Sequence, residues 1–492
     1  MSGKLGNDLD DACRRFGPKV AVSAGDVRLT YVELTQRARA LATLLRNSGL
    51  KANEPVHLRV SNQPLDVVAL FGIWLACGVP VPIHRTTPVS VAATVQQRTR
   101  ARLLVDLQSH EIGDAWLSTI ASESPPQRGL LDNAAFIIFT SGSTGSPKGV
   151  VVGHDTFHGK IQQIDTLLGF GEVDRTLLVL NITFSFGLWV SLLTLLRGGT
   201  LVMRPKFQPT TLLRSLIDER ITRVGAVPTM MRVLFSDPQC DGLIDTVVQR
   251  SHLRQLLIGG ESLGLSLAAT IRKRFATTSL VDIYGLTETS TCDFFSFPSD
   301  YAKYPGCIGR PSPNVRYRIV DADGGLVKGD SIGELQIRSP YLMNGYLDDS
   351  QLTAAAYCDG WFRTGDLGRE VDGQVVELMG RQKEVISRGG NKVTPVEIEQ
   401  SICSHVDVAS AMAVGIPDPL LGERIHVLIV PRTGASLEIE ALRRHLDSRL
   451  ERFKHPDAFY RAEALPVGVN GKADRSHFKS LVLSGELIPV IC

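Results

Sequence analysis

Short apolar runs of strand length alternate with longer segments of helical period across the first half of this sequence, and few folds accommodate that rhythm. The runs fall at residues 56–60, 79–83, 136–139, 176–180, 200–203, 223–226 and 255–258. Between them lie segments such as 65–76, long enough for three turns of helix. Thr30 followed by Glu33 reads as a capping box, after which Leu34, Ala38, Leu41 and Leu45 share one helical face ending near Gly49. Continuous apolar strands separated by helices predict an α/β fold of parallel sheets covered by helices. Past about residue 290 the texture changes. Residues 317–320 and 333–338 are short, alternate in polarity and are set apart by Gly and Asp, which predicts antiparallel strands in a distorted β-barrel subdomain over about 290–380. From Arg381 an α+β alternation resumes, with helices expected near 395–402 and 437–450. The expected organisation is therefore a large N-terminal domain, 1–380, and a small C-terminal domain, 381–492.

A chain of 492 residues exceeds what a single core organises, which agrees with two domains. A formal net charge of +2 with interspersed signs gives no basis for a nucleic-acid partner or an anionic membrane surface. The polar N-terminus, with Asp8, Asp10 and Asp11, lacks a signal-peptide pattern. The apolar stretch 67–81 is interrupted by Gly72 and Gly78 and is too short for a membrane span. The cysteines are scattered singly, with no C-x-x-C pair, and the last of them, Cys492, forms no prenylation box. Reduced thiols in a cytoplasmic protein are the expectation, not zinc or disulfides.

The most specific segment is Thr140-Ser141-Gly142-Ser143-Thr144-Gly145-Ser146-Pro147-Lys148-Gly149, directly after the apolar run 136–139. Glycines let backbone approach a polyanion, hydroxyl and N–H groups donate to phosphate oxygens, and Lys148 adds a positive charge. It is not the G-x-x-x-x-G-K-[ST] loop, because Pro147 intervenes and no Ser or Thr follows Lys148, so a kinase or motor-type NTPase is disfavoured.

The segment resembles the phosphate loop of the acyl-adenylate-forming superfamily: acyl- and aryl-CoA synthetases, adenylation domains of peptide synthetases, and luciferases. Further matches follow in that family's order: Tyr284-Gly285-Leu286-Thr287-Glu288, Trp361-Phe362-Arg363-Thr364-Gly365-Asp366, Gly380-Arg381 with Gly389-Gly390 and Pro395-Val396-Glu397-Ile398-Glu399, and Asn470-Gly471-Lys472. The resemblance implies that Thr140, Ser141, Gly142, Ser143, Thr144, Gly145 and Lys148 meet the ATP phosphates. It implies further that Gly260, Glu261, Tyr284, Gly285, Asp366 and Arg381 surround the nucleoside. Tyr284 would pack on adenine, a flat ring suiting a base face. Asp366 would accept from the ribose hydroxyls, with Arg381 close by. Thr287 would reach the phosphates and Glu288 would hold Mg²⁺, a hard cation that takes carboxylate oxygen. Lys472 would bridge the substrate carboxylate and the α-phosphate, stabilising charge that develops as phosphorus is attacked.

The resemblance also implies that the small domain is mobile. Arg381-Gln382-Lys383-Glu384 resembles the family's hinge, with Lys383 as the pivot. A swing about it would withdraw Lys472 and bring Gly389-Gly390 to the site, where glycines let a pantetheine arm pass close to backbone. Three positions depart from the pattern: Gly468 stands where Thr is usual, and Gln382-Lys383 replaces an acidic pair.

Asn181-Ile182-Thr183-Phe184-Ser185-Phe186-Gly187-Leu188 is similar to the acyl-pocket motif, with Gly259 on the facing wall. Amino-acid-activating members carry Asp at the position of Ser185, and a buried ammonium group without a carboxylate is costly. The acid is accordingly expected to be aromatic or apolar, not an α-amino acid. Glu261 either faces away from it or meets a polar substituent. The thiol acceptor implied is CoA or the phosphopantetheine of a separate carrier protein, since the sequence stops twenty residues after Lys472.

Overall fold

The computed structural model describes residues 3–107, 116–140, 147–468 and 472–490. Its largest sheet has nine strands, in the order Arg310–Pro311, Phe294–Ser296, Ser279–Tyr284, Gln255–Gly259, Arg223–Ala226, Arg175–Leu178, Thr200–Met203, Val20–Ala24, Val27–Thr30. The six strands from Ser279–Tyr284 to Val20–Ala24 run parallel, and the outer pairs close the sheet antiparallel. A second sheet joins Val79–His84, Pro55–Val60 and Leu103–Val105 in parallel, with Leu117–Thr119 antiparallel at the edge. Helix Pro64–Leu75 is buried from Pro64 to Trp74, and Ser185–Leu196 is buried from Gly187 to Leu195. Helices apolar all round belong inside, and both lie in the same core. Helix Tyr31–Asn47 begins with the capping box formed by Thr30 and Glu33.

One strand departs from the parallel rhythm. Ala134–Thr140 pairs antiparallel with Lys148–Gly153, and Gly345–Tyr346 completes a three-stranded sheet. An apolar run buried on both faces reads the same whichever way its neighbour runs, so the sequence concealed the hairpin.

Arg316–Val320, Gly333–Arg338, Tyr357–Cys358, Trp361–Asp372 and Val375–Arg381 form an antiparallel, curled sheet. The last sheet contains Ile386–Arg388, Asn391–Val393, Val408–Asp418, Gly422–Pro431 and Ala458–Arg461. Helices Pro395–Cys403 and Ile439–Asp447 cover it through Ile398, Ile402, Leu442 and Leu446. Among the described residues no helix is long and apolar enough to cross a membrane.

Candidate active site

Open α/β sheets bind ligands beyond the carboxyl ends of their parallel strands. Strand Ser279–Tyr284 delivers Tyr284 there as its final residue. The Tyr284 hydroxyl donates to Asp366 Oδ2 at 2.6 Å, and the ring meets Phe294 edge-on at 5.9 Å. Asp366 lies on Trp361–Asp372, in register with Arg381 on the neighbouring strand, and Arg381 Nε is 3.0 Å from Asp366 Oδ1. Burial pushes the Asp366 carboxyl up, against the opposing pull of Arg381 and Tyr284. The same pairing raises the Arg381 guanidinium, which stays cationic.

After Tyr284 the chain turns through Gly285 into the single turn Thr287–Thr289. A Cβ on Gly285 would sit 2.2 Å from Cys292 N, so glycine is demanded there by a close approach of backbone. The turn is tied down at Glu288, whose carbonyl accepts from Met343 N at 2.8 Å and whose Oε1 accepts from the Tyr346 hydroxyl at 3.1 Å. Lys148 Nζ stands 5.5 Å from the Tyr346 ring centre, so Lys148 and Glu288 flank one tyrosine. Behind the turn, Asp293 accepts from Lys160 Nζ at 2.9 Å and from the Thr289 hydroxyl, and Lys160 also donates to Ser312 Oγ at 3.3 Å. Both charged side chains are fully buried.

No cluster of three or more His, Cys, Asp or Glu residues suited to a metal occurs among the described residues. Glu288 alone fits a Mg²⁺ that arrives on nucleotide phosphates, because that ion keeps most of its ligands as water and phosphate oxygen.

Lys472 lies against Gly260: a Cβ built there would be 3.1 Å from Lys472 Cε and 3.2 Å from its Nζ. Gly260 has φ +88°, so a side chain there would also strain the backbone. The stretch carrying Lys472 is closed on itself, with Gly468 N donating to Lys472 O at 2.8 Å and Asp474 N to Pro466 O at 2.8 Å. Desolvation lowers the Lys472 ammonium and Arg381 adds to that, while Glu261 opposes it. Glu261 itself accepts from the Thr229 hydroxyl at 2.8 and 3.0 Å and from Ala473 N at 3.2 Å.

Gly389 and Gly390 are exposed, with φ of +57° and +83°. Lys383 is exposed within the turn Gln382–Glu384. The next residue, Glu384, is held by Arg475 Nε at 3.1 Å, and Arg475 also grips Glu399. Phe184 caps the start of helix Ser185–Leu196, leaving both Phe184 and Ser185 partly exposed. Phe186 stacks on Trp189 at 5.5 Å with a 6° interplanar angle. A Cβ on Gly259 would be 3.3 Å from the Phe186 ring, so bare backbone borders that ring.

Thus Tyr284, Asp366 and Arg381 form one linked set, Lys148 and Glu288 flank Tyr346, and Lys472 meets Gly260. Thr140 ends its strand beside Lys148. Ser141, Gly142, Ser143, Thr144 and Gly145 lie outside the described residues, as do Asn470 and Gly471. Sequence reading missed Tyr346, Thr229, Arg232, and the Lys160–Asp293 pair. Only the last carried a usable signal: Lys160 sits on the apolar face of its helix with Phe157, Ile161 and Ile164, where an unpaired lysine would be too costly.

Comparison with known proteins bears directly on this arrangement. The model of the AMP-binding enzyme family matches residues 9–347, and that of the AMP-binding enzyme C-terminal domain matches residues 397–472. A feruloyl-CoA synthase from Amycolatopsis sp is 29% identical over 467 residues, covering 92% of this chain and 94% of that one. An indoleacetate–CoA ligase from Aromatoleum aromaticum is 28% identical over 496 residues, covering 94% and 95%. In fold, the chain is similar to an anthranilate CoA ligase solved with anthranoyl-AMP, at a TM-score of 0.85 and 21% identity, over 97% of this chain and 98% of that one. With the family model spanning more than half of its length, the chain belongs to the AMP-binding, adenylate-forming enzymes.

Proposed function

We propose that this adenylate-forming enzyme activates an aromatic carboxylic acid as its acyl-AMP and then forms a thioester with CoA. The observation that carries the first step is Lys472 packed against Gly260, at the end of the strand neighbouring the one that delivers Tyr284. An acid carboxylate oxygen attacks the α-phosphorus of ATP, a new P–O bond forms, the bond to the β-phosphate oxygen breaks, and pyrophosphate leaves. A lysine cation between carboxylate and α-phosphate stabilises the charge building there. Tyr284 offers a ring face to adenine, and Asp366, oriented by Tyr284 and Arg381, accepts from ribose. Mg²⁺ held at Glu288 would neutralise charge on the departing phosphates when bound.

In the second step a thiolate sulfur attacks the acyl carbonyl and AMP leaves. Gly389 and Gly390 are exposed while Lys472 is at the site, which supports two arrangements of the small domain about Lys383. The aromatic acid is supported by Phe184 and Phe186 beside the bare backbone of Gly259, by Ser185 in place of a carboxylate, and by the names of the relatives above. Its setting is the cytoplasm, on the scattered cysteines of the sequence.

The test is a panel of aromatic, aliphatic and amino acids assayed by pyrophosphate release, then with CoA and with a phosphopantetheinylated carrier. Aromatic acids are expected to lead and CoA to accept. Preference for an α-amino acid would sink the pocket reading, and transfer to carrier alone would replace CoA. In Lys472→Ala, acid-dependent ATP–pyrophosphate exchange should be abolished while ATP still binds.

A further inference from the structure

The Glu261 carboxylate has three donors from the protein itself. Thr229 reaches both its oxygens, at 2.8 and 3.0 Å, from helix Pro228–Ser236. Arg232, one turn along the same helix, approaches to 3.4 Å. The third donor comes from the far end of the chain: Ala473 N donates to Oε1 at 3.2 Å. Glu261 is only 12% exposed, so these donors account for much of its surroundings. A second contact joins the same helix to the C-terminal sheet's connections, where the Thr433 hydroxyl donates to Ser236 O at 3.4 Å.

Ala473 is the residue after Lys472, and Glu261 is the residue after Gly260, against which Lys472 lies. We propose that Glu261 is a positioning residue: it forms, with Thr229 and Arg232, a seat for the Lys472 segment that fixes the lysine during adenylation and is vacated for thioester formation. Its backbone bond fixes where the segment lands. Its charge favours the protonated lysine, against burial and Arg381. A misplacement of about 1 Å at a reacting centre costs on the order of a hundredfold in rate, which is the scale such a seat controls. The inference rests on the reading of Lys472 given above.

The experiment uses the full chain with Glu261→Ala and Glu261→Gln, an accepted aromatic acid, and two assays. One is acid-dependent ATP–pyrophosphate exchange; the other is thioester formation from synthetic acyl-adenylate and CoA. Glu261→Ala should lose exchange on the order of tenfold to a hundredfold, and at least tenfold more than it loses thioester formation. Glu261→Gln retains an acceptor oxygen and should recover most of the exchange rate near neutral pH. Both variants lack the negative charge that supports the ammonium against burial and Arg381, so the alkaline limb of exchange should move to lower pH in both. Equal losses in the two assays, or no loss in exchange, would overturn the seat, as would an unmoved limb. Lys472→Ala, run alongside, separates the two ideas. If it keeps full exchange, the role of Lys472 is wrong; if it is dead while Glu261→Ala is fully active, only the seat is wrong.

Discussion

The Tyr284 hydroxyl donates to Asp366 Oδ2 at 2.6 Å, so the ring proposed to face adenine and the carboxylate proposed to hold ribose move as one unit. Tyr284→Phe keeps the ring and removes that donor. A hydrogen bond to a charged group contributes about 1.5–3 kcal/mol. The expected result is a KM for ATP raised on the order of tenfold, with a smaller effect on kcat, read from exchange at varied ATP. Asp366→Asn should do more, because it also strands Arg381. An unchanged KM in Tyr284→Phe would show that ring and carboxylate act separately.

The Lys160–Asp293 pair braces the turn that carries Thr287 and Glu288, since Asp293 also accepts from the Thr289 hydroxyl. Breaking a buried pair from one side leaves an uncompensated charge and costs about 3–5 kcal/mol. Asp293→Asn should show that loss in urea unfolding. Lys160→Met with Asp293→Leu should recover much of the stability, because neither charge then remains buried. Exchange should stay depressed in the double variant, since Thr289 has lost its acceptor. Full activity in the double variant would mean the pair serves stability alone.

The residues gathered here were legible in the sequence because type and order mark their motifs. Tyr284, Asp366, Arg381 and Lys472 each belong to a short motif that can be read locally, although Tyr284 meets Asp366 only across 82 positions. The capping box at Thr30 and Glu33 was legible for the same reason, both partners lying within one turn. What escaped was pairing across long sequence separation. Tyr346 reaches Glu288 over 58 positions and Ala473 reaches Glu261 over 212. No spacing rule announces such contacts. The hairpin of Ala134–Thr140 with Lys148–Gly153 escaped because buried strands carry no alternation to show their direction.

Gly390 tests the second half of the reaction. A Cβ there would meet no atom within 4 Å, so the only local penalty of a side chain is its φ of +83°, about 1 kcal/mol. Gly390→Leu should therefore fold and keep pyrophosphate exchange. Thioester formation from acyl-adenylate should slow by tenfold or more if this loop lines the path of the incoming thiol. Equal rates for Gly390→Leu and the unaltered enzyme in that assay would remove the loop from the path.

His57 gives a prediction about stability and acid. It is buried on strand Pro55–Val60, with Nε2 2.9 Å from Thr99 Oγ1, and the Thr99 hydroxyl in turn donates to Val95 O at 2.9 Å. The imidazole Nε2–H is therefore the donor to Thr99. Burial, aided by Arg59, pushes its pKa down from 6.5 to about 4. Between those values the unfolded chain takes a proton that the native ring refuses, so stability rises with pH there and is lost as pH falls. From pH 7.5 to pH 5.0 the loss from this one group amounts to about 2 kcal/mol. His57→Gln keeps an N–H for Thr99 but does not titrate. The unfolding free energy of the unaltered chain, measured relative to His57→Gln by urea titration, should fall by about 2 kcal/mol over that range. His154, also held down to about 4 by burial, is present in both proteins and cancels from the difference. A difference that stays constant with pH would show that the fold leaves the His57 pKa where the unfolded chain has it.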